Sequence, residues 1–131
     1  MNIEKFINRL RYAFYTVEKI DYRAYRRVIS TEVGFLTGIE CNLLSIIGFK
    51  KMLSLGVIPI SAIVITAYLL ELLILYKINK KNLTDELFKK YIPIFEEESF
   101  ISKTIWHISA IALLVISSVY FIVSIMLFFL S

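Results

Sequence analysis

The sequence predicts an all-α integral membrane protein: three transmembrane helices with the N-terminus inside and the C-terminus outside, preceded by an amphipathic interfacial N-terminal helix. Three observations carry this. Of 131 residues, 58% are hydrophobic and only 20% charged, with mean hydropathy +0.72, which is not the composition of a typical soluble domain. Residues 104–131 hold no Asp, Glu, Lys or Arg across 28 positions, and about 20 apolar residues cross a hydrocarbon layer roughly 30 Å thick. Seven Lys or Arg precede Val33 and six lie in 77–103, against two between, Lys50 and Lys51, and none after residue 103. Under the positive-inside rule this asymmetry puts the first and third groups on one side.

Residues 1–30 place Ile3, Phe6, Ile7, Leu10, Ala13, Phe14 and Val17 at helical spacing, with Lys5, Arg9, Arg11 and Lys19 largely off that stripe. The expectation is one amphipathic helix lying on the inner leaflet. Tyr12, Tyr15, Tyr22 and Tyr25 interleave with Arg23, Arg26 and Arg27, a mixture suited to anionic lipid headgroups. The same mixture binds single-stranded nucleic acid on soluble proteins; beside three apolar spans, the lipid surface is the partner this pattern favours. The N-terminus does not read as a cleavable signal, because its basic residues are spread through 30 positions before any continuous apolar run.

The first span is expected over 33–49, short and bearing Thr37, Glu40, Asn42 and Ser45. If it were re-entrant instead, the two inner basic groups would face opposite sides of the membrane. The second span is expected over 52–76, interrupted by Glu71, with Pro59 in the first turns where its missing N–H matters least. An inner loop over 77–103 follows, with Thr84 capping a short helix that Asp85 and Glu86 open and Pro93 ends. Glu96, Glu97 and Glu98 read as a solvated connector or, alternatively, an acidic docking patch. The third span is 104–131. Without repeats or low-complexity tracts, residues 1–131 read as one membrane domain.

Two small-residue faces predict helix contact: Gly34, Gly38, Cys41, Ser45 and Gly48 on the first span, and Ala110, Ser117 and Ser124 on the third. Three helices have few ways to bury two such faces, so a homo-oligomer is expected. The ionisable residues inside the spans are the candidate polar site, since a charge at mid-bilayer costs at least about 2.5 kcal/mol. Counted from the span ends, Glu40, Glu71 and His107 all fall in the inner half, where they would converge and two carboxylates would share a proton or hold a cation. Glu71 can alternatively pair with Lys77 or Lys80, and His107 beside Trp106 fits an interfacial residue. Glu40 projects roughly 120° from the small-residue stripe, among Leu36, Leu43 and Ile47, where lipid exposure is expensive.

One cysteine, one histidine and two aspartates exclude a disulfide framework and a thiolate metal site within one chain. No phosphate-binding glycine loop, GxSxG or HExxH is present, so no catalytic, cofactor-binding or metal residue is expected. The layout of a basic surface helix, three spans with the N-terminus inside and intramembrane glutamates resembles that of bacterial diacylglycerol kinases, integral lipid kinases of similar size. That family has Asn three residues after its span-two Glu, whereas Glu71 is followed by Leu72, Leu73, Ile74 and Leu75; the resemblance is one of topology. Residues 42–61 resemble the first hairpin of cation diffusion facilitators, without their paired His and Asp ligands. The expected function is a permeation path or membrane perturbation, as in small pores, holin-like proteins or anti-phage effectors of a bacterial inner membrane. A non-catalytic partner or immunity subunit that binds a cytoplasmic or membrane protein is the alternative, and a lipid-processing enzyme the third.

Overall fold

The computed structural model describes residues 2–131 and is built of helices, with no strand among the described residues. α1 spans Ile3–Glu18, α2 Asp21–Ile47, α3 Phe49–Ser54, α4 Val57–Asn82, α5 Asp85–Glu96 and α6 Phe100–Leu130. Two of these, α4 and α6, are long and apolar enough to cross a membrane.

α1 starts at Asn2, whose side chain accepts the Lys5 N–H, and ends at Lys19, the one non-glycine residue with positive φ (+56°) among those described. The Lys19 N–H returns to the Tyr15 carbonyl at 2.7 Å. This single left-handed residue corrects the expectation of one helix over 1–30: the chain turns there, and α2 then runs unbroken from Asp21 through the expected first span. Neither Gly nor Pro marks the turn, so apolar periodicity alone carries across it.

The one-sided burial implied by an amphipathic first helix is corrected as well. Every residue from Ile7 to Phe14 is buried, Arg9 and Arg11 included. Ile7, Leu10, Ala13 and Phe14 pack with Ala24, Val28, Leu83 and Ala110, while Tyr12 joins Phe88 and Phe95 on the opposite side. α1 is thus the centre of a cap enclosed by α2, α5 and the adjoining ends of α4 and α6. A stripe of apolar residues identifies one covered face; it does not reveal that α5 covers the other.

Beyond the cap, α2 and α6 form the most extensive pairing in the molecule. They are parallel: Ser117 donates to the Thr31 carbonyl, Asn42 to Ser124 Oγ, and the Phe49 N–H to Ser131 Oγ. α4 runs opposite to both, since Asn79 meets Glu32 and Glu71 meets Thr37. It begins at Val57, after the short α3 and Gly56 (φ +95°), rather than at residue 52, and continues six residues past Tyr76. Pro59 lies in its first turn, where N–H groups lack helical partners anyway.

Thr84 caps α5 by accepting the Leu87 N–H at 3.3 Å. Pro93 does not end this helix, which continues to Glu96. The proline removes one hydrogen bond, to the Lys89 carbonyl, but the next turn is anchored by Phe95, 1% exposed, stacked on Tyr91 at 5.4 Å and tilted against Tyr12 at 5.6 Å. α6 starts four residues before the expected 104, on a Ser99 cap.

Candidate functional site

Thr37 and Glu40 are three residues apart on α2 and share the face turned to α4. The Thr37 hydroxyl donates to Glu71 Oε1 at 2.8 Å, and the Glu40 carboxyl lies within hydrogen-bonding reach of Glu71. Glu71 is the one buried residue of α4. Among the described residues no Lys or Arg forms an ion pair with either carboxyl group. The pairing of Glu71 with Lys77 or Lys80 is therefore not the arrangement adopted. The constellation is one of three oxygen groups, two carboxyls and a hydroxyl, able to share a proton or surround a small cation.

Grooves open on either side of it along the same helix pair. One of about 350 Å³ is lined by Leu44, Ala62, Ile63, Thr66 and Ala67. The other, about 380 Å³, lies toward the cap between Ile29, Leu75 and Asn79, among others. Ala67 and Leu75 are one turn before and one turn after Glu71, and Leu44 is one turn after Glu40.

His107 does not join this cluster, which corrects the expected convergence. It contacts the Thr16 hydroxyl of α1 and faces Arg9. Because Ser117 is level with Thr31, His107 and Glu40 are separated by roughly 28 Å along the helix axes at 1.5 Å per residue. Depths counted separately from each helix end cannot reveal this register.

The small-residue faces lie against each other within the chain. A Cβ on Gly34 would overlap Ser117 Oγ and come within 3.0 Å of the Ser117 carbonyl oxygen; one on Gly38 would strike the Tyr120 ring. Asn42 donates to Tyr120 Oη at 2.6 Å, and Ser124 is buried beside it. Ala110 belongs to the cap core, Ser45 bonds the Asn42 carbonyl of its own helix, and Gly48 ends α2 with φ +94°. Since each face covers the other, the stripes do not themselves require a second copy.

Arg23, Arg26 and Arg27 stand exposed along α2. Arg23 and Arg27 approach Glu18 at 3.8 and 3.4 Å. The arginines that sequence reasoning passed over are in the cap. Arg9, 1% exposed, makes three hydrogen bonds of 2.8 to 3.1 Å with Glu98 and lies over the Tyr12, Phe95 and Trp106 rings. Arg11 bonds Asp21 at 3.0 Å and Asp85 at 2.7 Å and covers Phe88 at 4.3 Å. The Arg11 hydrogen bond holds the Asp85 carboxyl below its ordinary pKa, whereas burial, reinforced by Glu96, pushes the Tyr12 hydroxyl up. Glu98 is thus an ion-pair partner rather than a free connector. The available signal was the coincidence of Arg9 with its aromatic neighbour Tyr12 and a triple-glutamate run lacking nearby basic partners.

No protein-family model, curated protein or solved structure matches the chain. Fold and site define the class: an all-helical protein with two helices fit to cross a membrane and a buried glutamate joining one of them to its neighbour.

Proposed function

We propose that the chain is a three-span protein of a bacterial inner membrane, with α2 from Val33 onward as the first span, the α1 and α5 cap in the cytoplasm, and the C-terminus outside. In this reading copies assemble through the uncovered sides of α4 and provide a path for protons or small cations along the α2/α4 interface. One observation carries the reading: Glu71, held by the Thr37 hydroxyl, and Glu40, one turn along the same face of α2, stand at the α2/α4 interface without a basic partner, between two grooves. Insertion of ionisable residues into a bilayer costs about 2.5 kcal/mol or more for each charge, and a structural contact between helices needs no such pair. A shared proton or a bound cation relieves the repulsion, and the Thr37 hydroxyl orients Glu71 toward its partner.

The test is efflux of protons or potassium from liposomes holding purified protein at equal density. Glu40→Gln and Glu71→Gln are expected to abolish the flux while leaving helix content and oligomer size unchanged; tight wild-type liposomes at every pH would refute a constitutive path. A second reading, a partner or immunity subunit for another membrane protein, is favoured by the exposure of α4, whose apolar residues Val64, Ile65, Leu69 and Leu73 remain uncovered.

A further inference from the structure

The basic residues at the cap end of α2 border a cavity that has an apolar continuation. The first cavity, about 280 Å³, is lined by Glu18, Tyr22, Arg23, Arg26, Arg27 and Ser30. Three guanidinium groups and one carboxylate leave it two positive charges in excess. Glu18 engages Arg23 and Arg27, while Arg26 has no carboxylate partner among the described residues. The second cavity, about 340 Å³, is the groove between α2 and α6, lined by Ile29, Val33, Gly34, Phe121 and Ile122 among others. Ser30 lines both. Because the two helices are parallel, the groove leads away from the arginines along the helix axes, past Gly34.

We infer that this pair of cavities is a discrete site for one anionic glycerophospholipid, its phosphate held by Arg23, Arg26 and Arg27 and the first carbons of an acyl chain lying in the α2/α6 groove. A planar guanidinium binds phosphate through paired N–H groups, and Ser30, which lines both cavities, supplies a hydroxyl donor between the arginines and the groove, where a glycerol backbone would sit. A diffuse basic surface would attract the same headgroups, but it would have no apolar groove continuing from its floor. The inference rests on the membrane placement proposed above and is independent of conduction by the carboxyl pair.

Native mass spectrometry of the full chain, released from mixed phosphatidylglycerol and phosphatidylcholine micelles, tests it. Wild type is expected to retain one phosphatidylglycerol in preference to phosphatidylcholine by roughly 30-fold, the ratio that two excess charges at a membrane surface confer. Arg23→Gln with Arg26→Gln should erase the preference. Val33→Trp, which fills the groove and leaves the arginines in place, should lower retention of phosphatidylglycerol about tenfold, on the scale of displacing a few buried methylenes. Lys80→Gln, a cation removed from a different groove, should change neither; circular dichroism and elution volume check the fold of each variant. Equal retention of both lipids by wild type, an unaffected Val33→Trp, or displacement of the lipid by inorganic phosphate would overturn the site, the last result showing that the arginines bind phosphate without the groove. Alkaline extraction of cell membranes separates the two failures: a chain released by the wash refutes the membrane placement, and a chain that stays without lipid preference refutes only this site.

Discussion

Gly34→Ala should destabilise the α2/α6 pair, although alanine is by far the better helix former. In an exposed helix interior the substitution gains about 1 kcal/mol. At Gly34 the added Cβ overlaps Ser117 Oγ and comes within 3.0 Å of the Ser117 carbonyl oxygen and 3.2 Å of its carbon. Ser117 is not free to swing away, because its hydroxyl donates to the Thr31 carbonyl at 2.7 Å in a fully buried position. Rotating it sacrifices a buried hydrogen bond of about 1 kcal/mol and still leaves the backbone oxygen in place. Separating the helices instead brings an overpacking penalty of about 1–3 kcal/mol. After the propensity gain, separation leaves a net loss of up to about 2 kcal/mol. Gly38→Ala should lose less, since its obstacle is the Tyr120 ring, which rotates as a unit. The assay is reversible unfolding in mixed detergent micelles, completed as a double-mutant cycle with Ser117→Gly. Part of the loss should return in the double variant, with a coupling of at least about 0.5 kcal/mol. A Gly34→Ala protein as stable as wild type, or a cycle without coupling, would mean that the two backbones do not approach at this point.

The cap offers further tests. Glu98→Gln leaves the Arg9 guanidinium buried among three rings without its counter-charge and should lower stability by about 2–4 kcal/mol, less than a fully buried pair because Glu98 is 24% exposed; Arg9→Met, which fills the same space without a charge, should be better tolerated in thermal unfolding. Asp85, held below its ordinary pKa by Arg11, contributes stability that is present above the unfolded carboxylate range and is lost as pH falls through the folded value. Its side chain is 79% exposed, so the contribution is well under about 1 kcal/mol, and Arg11→Leu should flatten this acid limb of a melting-temperature profile. Thr37→Val removes the hydroxyl that orients Glu71 and should shift the pH dependence of liposome flux without abolishing it; an unchanged profile would argue against that orienting role.

Helix positions were legible wherever periodicity or an uninterrupted apolar run defined them. The run from 104 onward, the Thr84 cap and the small faces around Gly34 and Ser117 could be read directly, because each is a local pattern with a local cause. What escaped was relational. The turn at Lys19 uses one left-handed residue that carries no sequence mark, and the continuation through Pro93 depends on aromatic packing of Phe95 against α1. The carboxyl site was half legible: residue type and approximate depth brought Glu40 and Glu71 forward together. The same depth argument included His107, since it could not know that α2 and α6 align Thr31 with Ser117. Arg9 and Arg11 fall off the apolar stripe, where basic residues are usually solvated, and only the tertiary fold brings Asp21, Asp85 and Glu98 to them and makes their burial tolerable.

That second role for arginine bears on the topology argument. Arg9 and Arg11 are engaged by Glu98, Asp21 and Asp85, so they serve the cap and are not available to headgroups. The positive-inside bias counts Lys and Arg near the span ends, with acidic residues contributing little, so paired arginines still enter the count as the chain inserts, before the cap has folded. Even with both set aside, five basic residues remain before Val33 and six in 77–103, against Lys50 and Lys51 on the other side. The orientation therefore does not depend on the arginines that the fold consumes. In the proposed orientation the bias rests on Arg23, Arg26 and Arg27 of α2 and on Lys77, Lys80 and Lys81 of α4, which the folded chain leaves exposed at the cap end of these helices, together with the remaining lysines. In the proposed topology those residues are free to face headgroups, while α1 makes its own ion pairs within the cap over the ends of α2, α4 and α6.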